Sequence, residues 1–175
     1  MTAPPKGTAS GAHRCQHGPV TQESSAIVRT ARVEDCSQLL RLWGLVFEDA
    51  DAPPEASWRE HAREWFARYV DNSADARFPV IEVDGEIVAT AIGTLEIGVP
   101  NPYCMTGRTA RLANVITLPA HRGQGYGTTL VRDIIAWART IDVDRLDLSA
   151  TPDGERVYEK LGFTLTSAPR MKLIL

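Results

Sequence analysis

The segment that most constrains this chain lies between residues 110 and 141. A β-type run over 110–118 ends at Pro119, a turn with glycines at 123, 125 and 127 follows, and then Leu130, Ile134, Trp137, Ala138 and Ile141 recur at i, i+4, i+7, i+8 and i+11. That apolar stripe predicts a long amphipathic helix. Strand, glycine turn and helix in this order call for a sheet with helices packed on its faces. The turn also has a chemistry of its own. The first four amides of a helix have no intrahelical partner, the helix dipole adds partial positive charge there, and glycines remove the Cβ atoms that would hold a ligand off the backbone. An anion is the expected guest of residues 123–128.

The remaining pattern extends the same architecture. A β run over 26–31 precedes a helix carrying Leu39, Leu40, Trp43 and Phe47, which Pro53-Pro54 stops; Trp58, Ala62, Trp65, Phe66 and Tyr69 then mark a second helix. Two β runs, 78–83 and 87–99, flank Asp84-Gly85, a dipeptide that favours a tight hairpin. After the long helix come a strand over 145–148, a short helix over 155–161 with Val157 and Leu161 on one face, and closing β runs over 163–166 and 170–175. The predicted order is β-α-α-β-β-β-α-β-α-β-β, a mixed, mostly antiparallel α/β sheet flanked by helices in a single domain over 26–175. Residues 1–25, rich in Pro, Gly, Ser and Thr and without apolar periodicity, are expected to be a disordered tail. His13-x-Cys15-x-His17 within it offers fewer than the four ligands of a structural zinc site, so no metal is expected.

Charge and length remove several function classes. Nineteen basic against twenty-two acidic side chains give a net charge of −3, with no lysine run and no basic stripe with interleaved aromatics, which argues against a nucleic-acid partner. No apolar stretch approaches the ~18 residues of a membrane span, and the first residues lack the apolar segment of a secretory signal. Three cysteines without a C-x-x-C spacing suit a reducing compartment. The expectation is a cytoplasmic protein without membrane partners, for which a homodimer remains admissible.

The spacing of the glycines narrows the anion. A P-loop would read G-x-x-x-x-G-K-[ST], and no lysine follows these glycines; a dinucleotide fingerprint would read G-x-G-x-x-G, and the sixth position from Gly123 is Thr128. A purely conformational role for the glycines is the bland alternative. What remains resembles the GNAT superfamily of acyl-CoA-dependent N-acyltransferases. Arg122-x-x-Gly125-x-Gly127 matches that family's (Gln/Arg)-x-x-Gly-x-(Gly/Ala) pyrophosphate turn, with Pro119 three residues ahead of the arginine. Independently, Val157-Tyr158-Glu159-Lys160-Leu161-Gly162-Phe163 looks like the family's C-terminal (Leu/Val)-Tyr-Glu-Lys-x-Gly-Phe block, about 30 residues downstream.

The resemblance implies acetyl-CoA as acyl-donor cosubstrate. It further implies a strand that splays from its neighbour, exposing main-chain groups at Val115, Ile116 and Thr117 to the pantetheine arm. Arg122, Gly123, Gln124, Gly125, Tyr126, Gly127 and Thr128 would hold the pyrophosphate. A main-chain N–H at Ile116 or Thr117 would face the oxyanion, and Tyr158 would be the catalytic acid, because a phenol of pKa ~10 stays protonated at neutral pH while an alkyl thiol of ~8.5 leaves as a thiolate able to take its proton. Two departures matter. Thr151 and Gly154 stand where many members carry asparagine and alanine, and Arg111 stands where some histone-type members carry a glutamate base. The run 110–118 holds no carboxylate, which removes support for a protein-lysine acceptor.

A small-molecule amine is therefore the expected acceptor. Glu96, Glu48, Asp49, Asp51 and His121 all qualify as the base that takes the amine's proton, and the sequence does not choose among them. Trp43, Phe47, Trp58, Trp65 and Phe66 fall on helices that line the acceptor cleft in the resembled family, although aromatics at helical spacing are usually core. Tyr103, Cys104 and Met105 precede the central strand, within reach of an acceptor. Glu48, Asp49, Asp51 and Glu55, with Arg59 alone among them as a base, suggest a positively charged acceptor drawn in electrostatically. Two readings from other classes compete: a non-catalytic acyl-CoA sensor and a nicotinamide-dependent oxidoreductase.

Overall fold

The computed structural model describes residues 1–2, 25–47, 57–167 and 171–173. Among the described residues six strands and four α-helices follow one another as β1 (Ala26–Thr30), α1 (Cys36–Gly44), α2 (Ser57–Tyr69), β2 (Ala76–Arg77), β3 (Pro79–Val83), β4 (Glu86–Ile97), β5 (Arg108–Thr117), α3 (Tyr126–Thr140), β6 (Arg145–Asp147) and α4 (Pro152–Lys160). The sheet runs β1-β3-β4-β5-β6, with β2 paired to β4, and every pair is antiparallel except β5 with β6. This is the mixed, mostly antiparallel α/β domain expected from the pattern. The hairpin between β3 and β4 forms because Asp84 and Gly85 both take positive φ, at 52° and 82°, which a tight two-residue turn with the right twist requires.

Alternation along the strands sends side chains to two cores. Val80, Ile92 and Ile116 pack under α1 and α2 with Leu39, Trp43 and Phe66, while Ile81, Ala91 and Leu112 pack against α3 with Leu130, Ile134 and Trp137. The α3 stripe read from the sequence is thus the buried face of that helix. Two further links fix α3 in place: Trp137 Nε1 donates to the Ser73 carbonyl at 2.7 Å, and Arg77 of β2 holds Asp133 through two bonds of 2.8 and 2.9 Å. Gly93 on β4 lets the helix approach, since a Cβ there would lie 2.8 Å from the Trp137 ring and 2.9 Å from Ile134 Cδ1. We expect Gly93→Ala to destabilise the domain by about 1–3 kcal/mol through overpacking. A thermal melt should show it as a fall of roughly 2–4 °C per kcal/mol.

At the other edge, Arg29 of β1 is held by Asp35 at 2.6 Å and by Glu82 of β3 at 2.7 Å. The guanidinium, which donates hydrogen bonds to Asp35, keeps that carboxyl below the usual carboxylate range. Among the described residues no helix is long and apolar enough to cross a membrane.

The C-terminal β runs differ from expectation. Residues 163–166 form no strand, and neither do 171–173, while the rest of the 170–175 run lies outside the described residues. The physical reason is local. Gly162 turns the chain at φ 94°, the Phe163 amide closes back on the Tyr158 carbonyl at 3.1 Å, and the Phe163 ring packs edge-on to Tyr158, so the start of this stretch closes the end of α4. The expected tail over 1–25 and its His13-x-Cys15-x-His17 group fall almost wholly outside the described residues.

Candidate active site

The centre of the site is a change of register in β5. Thr90 of β4 opposes Ile116 and Ile92 opposes Ala113, so β4 spends two residues where β5 spends three. Asn114 absorbs the extra residue at φ 47°, a conformation that asparagine tolerates better than most side chains. A bulge bends its strand and increases the local twist. On its other side β5 has a parallel neighbour only over Thr109, Ala110 and Arg111, which stand in register with Arg145, Leu146 and Asp147 of β6. From Leu112 to Thr117 the two strands part, and the edge of β5 that faces away from β4 lies open.

At the end of that open edge the chain turns into α3. Pro119–His121 make a single 3-10 turn, Gly123 and Gly125 adopt φ of 79° and 80°, and Gly125 caps the helix without a side chain. The amides of Gly123, Gln124 and Gly125 make no backbone hydrogen bond among the described residues, and the first closure is Thr129 N–H to the Gly125 carbonyl at 3.1 Å. Arg122 leans back, its Nε donating to the Thr117 carbonyl at 3.3 Å, which ties the turn to the end of β5. Gly127 is different from its two neighbours. It is helical, and a Cβ there would only touch Val115 Cγ1 at 3.8 Å, an ordinary contact, so packing does not demand a glycine. Its bare backbone leaves open the space between the start of α3 and Val115.

Tyr158 approaches from α4. Its ring is half-buried and lies edge-on to Phe163 with centroids 5.8 Å apart, and burial pushes the phenol above its ordinary value of 10. Among the described residues its hydroxyl has no hydrogen-bond partner. Val115 from β5, Tyr126 from α3 and Tyr158 all sit on the margin of the same core cluster, as does Leu148 after β6, so the fold brings these three sequence-predicted residues to one side of the sheet. Ile116 points to the opposite core and is buried under α1 and α2. Gly154 is explained by the ring itself: a Cβ at 154 would stand 3.0 Å from Tyr158 Cε2 and 3.3 Å from Thr151 Oγ1. A cleft of about 490 Å³ borders Arg111 at the end of the β5–β6 pairing, β6 with Ser149 after it, and Tyr158 of α4.

Residues 39–163 match the sequence model described as the acetyltransferase (GNAT) family. The chain belongs to the GNAT family. Solved structures share its fold: a predicted acetyltransferase with acetyl-CoA from Clostridium acetobutylicum aligns with TM-score 0.76 and 24% identity over 86% of this chain and 96% of that one. A GCN5-related N-acetyltransferase from Ralstonia eutropha JMP134 gives 0.73 and 19% over 85% and 99%, and glucosamine-6-phosphate N-acetyltransferase from Arabidopsis thaliana gives 0.69 and 18% over 85% and 98%. A comparison with curated protein sequences gives no match.

For this GNAT chain the other sequence-predicted residues divide clearly. Trp43 and Phe66 are core, packed edge to face at 5.8 Å, whereas Phe47 and Trp58 meet at 5.6 Å nearer the surface, with Arg59 over the Trp58 ring. Cys104 is buried, its thiol beside Asp144 Oδ2 at 3.3 Å and Thr109 Oγ1 at 3.5 Å, so it fastens the loop between β4 and β5 and does not face an acceptor. Tyr103 and Met105 are exposed. Glu96 is exposed near Arg111, and His121 lies half-buried in the 3-10 turn. Glu48, Asp49, Asp51 and Glu55 lie outside the described residues. Sequence reasoning missed the bulge at Asn114, whose only signal is an asparagine inside a β run, and it read Arg111 as an absence.

Proposed function

We propose that this protein transfers an acetyl group from acetyl-CoA to the amine of a small-molecule acceptor. The observation that carries the reading is the exposed glycine turn at the start of α3, set directly at the end of the open edge of β5. The amides of residues 123–128 suit a pyrophosphate by number, direction and partial charge. Gly127, which packing does not require, leaves the space such a ligand needs. The open main-chain edge at Val115, Ile116 and Thr117, where Arg122 already holds the Thr117 carbonyl, suits the amide-bearing pantetheine arm, which would pair with it as a strand does.

The residues then divide the chemistry. A main-chain N–H at Ile116 or Thr117 stabilises the oxyanion that forms when the amine nitrogen adds to the thioester carbonyl. Tyr158 gives its proton to the departing thiolate, a role consistent with a half-buried phenol that stays neutral well above neutral pH. The two described cysteines are unpaired, in keeping with a cytoplasmic setting. A thiol-release screen with acetyl-CoA against a broad panel of amines tests the proposal. Acetyl-CoA binding without turnover of any amine would favour the sensor reading, and nicotinamide-dependent absorbance changes without thiol release would favour the oxidoreductase.

Gly154 supplies a finer test. Gly154→Ala should raise helix propensity in α4 by up to about 1 kcal/mol, while its Cβ presses the Tyr158 ring aside by a few tenths of an ångström. The expected outcome is a melting temperature that changes little, an unchanged acetyl-CoA affinity and a kcat lowered several-fold, as misplacement of a reacting group implies.

A further inference from the structure

Four arginines among the described residues are partly buried; Arg108 gives its Nη2 to the Ile141 carbonyl at 2.9 Å, and two of the others are fully paired with carboxylates. The Arg29 side chain, 20% exposed, has carboxylates at 2.6 and 2.7 Å, and that of Arg77, 28% exposed, has both oxygens of Asp133 within 2.9 Å. Arg111, 25% exposed, has Glu96 Oε1 at 3.9 Å and Ser149 Oγ at 3.5 Å, and nothing closer among the described residues. Asp147, its neighbour in the parallel register, places its carboxylate on Arg145 at 3.1 Å instead. A half-sheltered guanidinium without a tight oxyanion loses hydration and recovers little of it, a cost that a ligand anion would remove.

Its position is equally specific. Arg111 is the last residue of β5 paired with β6, at the apex where the strands part, and it borders the same cleft as Tyr158. On its strand it alternates with Ala110 and Leu112, which pack under α3, so its side chain belongs to the opposite face of the sheet. Glu96 lies on that face of β4, near the open end of the hairpin. Because the pantetheine arm would run from the glycine turn along the open edge of β5, a group seated at Arg111 would lie at the far end of that edge from the pyrophosphate.

We infer that Arg111 is the specificity-determining residue for the acceptor, binding an oxyanion, carboxylate or phosphate, carried by the same molecule as the reacting amine. The inference rests on the transferase reading above. The planar fork of arginine matches both anions through paired N–H···O bonds. Glu96, at 3.9 Å, competes weakly for the guanidinium and is displaced when the acceptor anion arrives.

The test uses matched acceptors with the intact protein. The carboxylate arm pairs L-amino acids with their primary amides, and the phosphate arm pairs O-phosphoethanolamine with ethanolamine, each followed by thiol release. The expected result is at least about tenfold higher kcat/KM for the anionic member of one pair, and Arg111→Gln should raise its KM about 10–100-fold while acetyl-CoA affinity and kcat change little. Arg111→Lys, a milder change should the glutamine variant fold poorly, should recover part of that loss. Glu96→Gln should act in the opposite sense and lower the KM for the same acceptor, an outcome no purely structural role produces. Equal use of both members of each pair, or a KM that Arg111→Gln leaves unchanged or raises equally for both members, overturns the assignment. Calorimetry of acetyl-CoA on the wild type keeps the two failures apart: absence of binding overturns the transferase reading and this one with it, whereas binding without anion preference overturns only the role of Arg111.

Discussion

Tyr158→Phe lowers kcat by about 10²–10⁴ while leaving acetyl-CoA affinity and folding nearly unchanged, the effect expected when a general acid is removed and its ring kept. The ring supplies the packing: it lies edge-on to Phe163 and borders the α3 core, and the hydroxyl makes no hydrogen bond among the described residues whose loss would weaken the fold. Steady-state kinetics should place the loss in kcat and not in the KM for acetyl-CoA. The pH profile gives a second reading with a definite sign. Burial raises the Tyr158 pKa above 10, so the neutral, proton-bearing form persists through neutral pH, and activity should decline only on the alkaline side of that ordinary value. In the phenylalanine variant no phenol remains to ionise, and this decline should disappear. A variant with full kcat and an unaltered profile would reduce Tyr158 to packing and direct attention to a water-mediated donor.

Gly125→Glu abolishes acetyl-CoA binding, with a loss of at least about 100-fold from adding a carboxylate where the pyrophosphate is expected to sit. The substitution is not neutral for the fold. Gly125 has φ 80°, which costs an L-residue roughly 1–2 kcal/mol, but a Cβ there meets no atom within 4 Å, so strain and not collision is the only structural penalty. Gly125→Asn separates the two effects, because asparagine tolerates this conformation and carries no charge. Calorimetry should find a folded Gly125→Asn protein with weakened binding and a folded Gly125→Glu protein with none. Unchanged affinity in a folded glutamate variant would remove the turn from the cofactor site.

Both experiments probe residues that were visible as text. The turn was legible because its information is local: positive φ at 123 and 125 needs glycine, and a helix start leaves its amides free whatever packs around it. The α3 stripe was legible for a similar reason, since its buried face repeats with the helical period. The Asp84-Gly85 hairpin followed from turn chemistry alone. The strand expected over 163–166 was misread because apolar alternation says that a segment can pair, not that a neighbour stands beside it, and Phe163 instead closes the end of α4.

Sequence by itself determined the succession of elements up to α4, the glycine turn at the start of α3 and the tyrosine block, all of which depend on residues close together in the chain. The tertiary structure decided where the chain opens. The bulge at Asn114 bends β5 away from a three-residue β6, and that parting of two strands from distant segments creates the free edge on which a cosubstrate can lie. It also decided the meaning of Arg111. In the sequence this residue is only a missing carboxylate. In the fold it is a sheltered guanidinium at the apex of the parting, with its register neighbour Asp147 turned to Arg145 and Glu96 too far to pair closely. No pattern along the chain could reveal this, because the strength of an ion pair depends on distance and burial between residues that the sheet alone brings together.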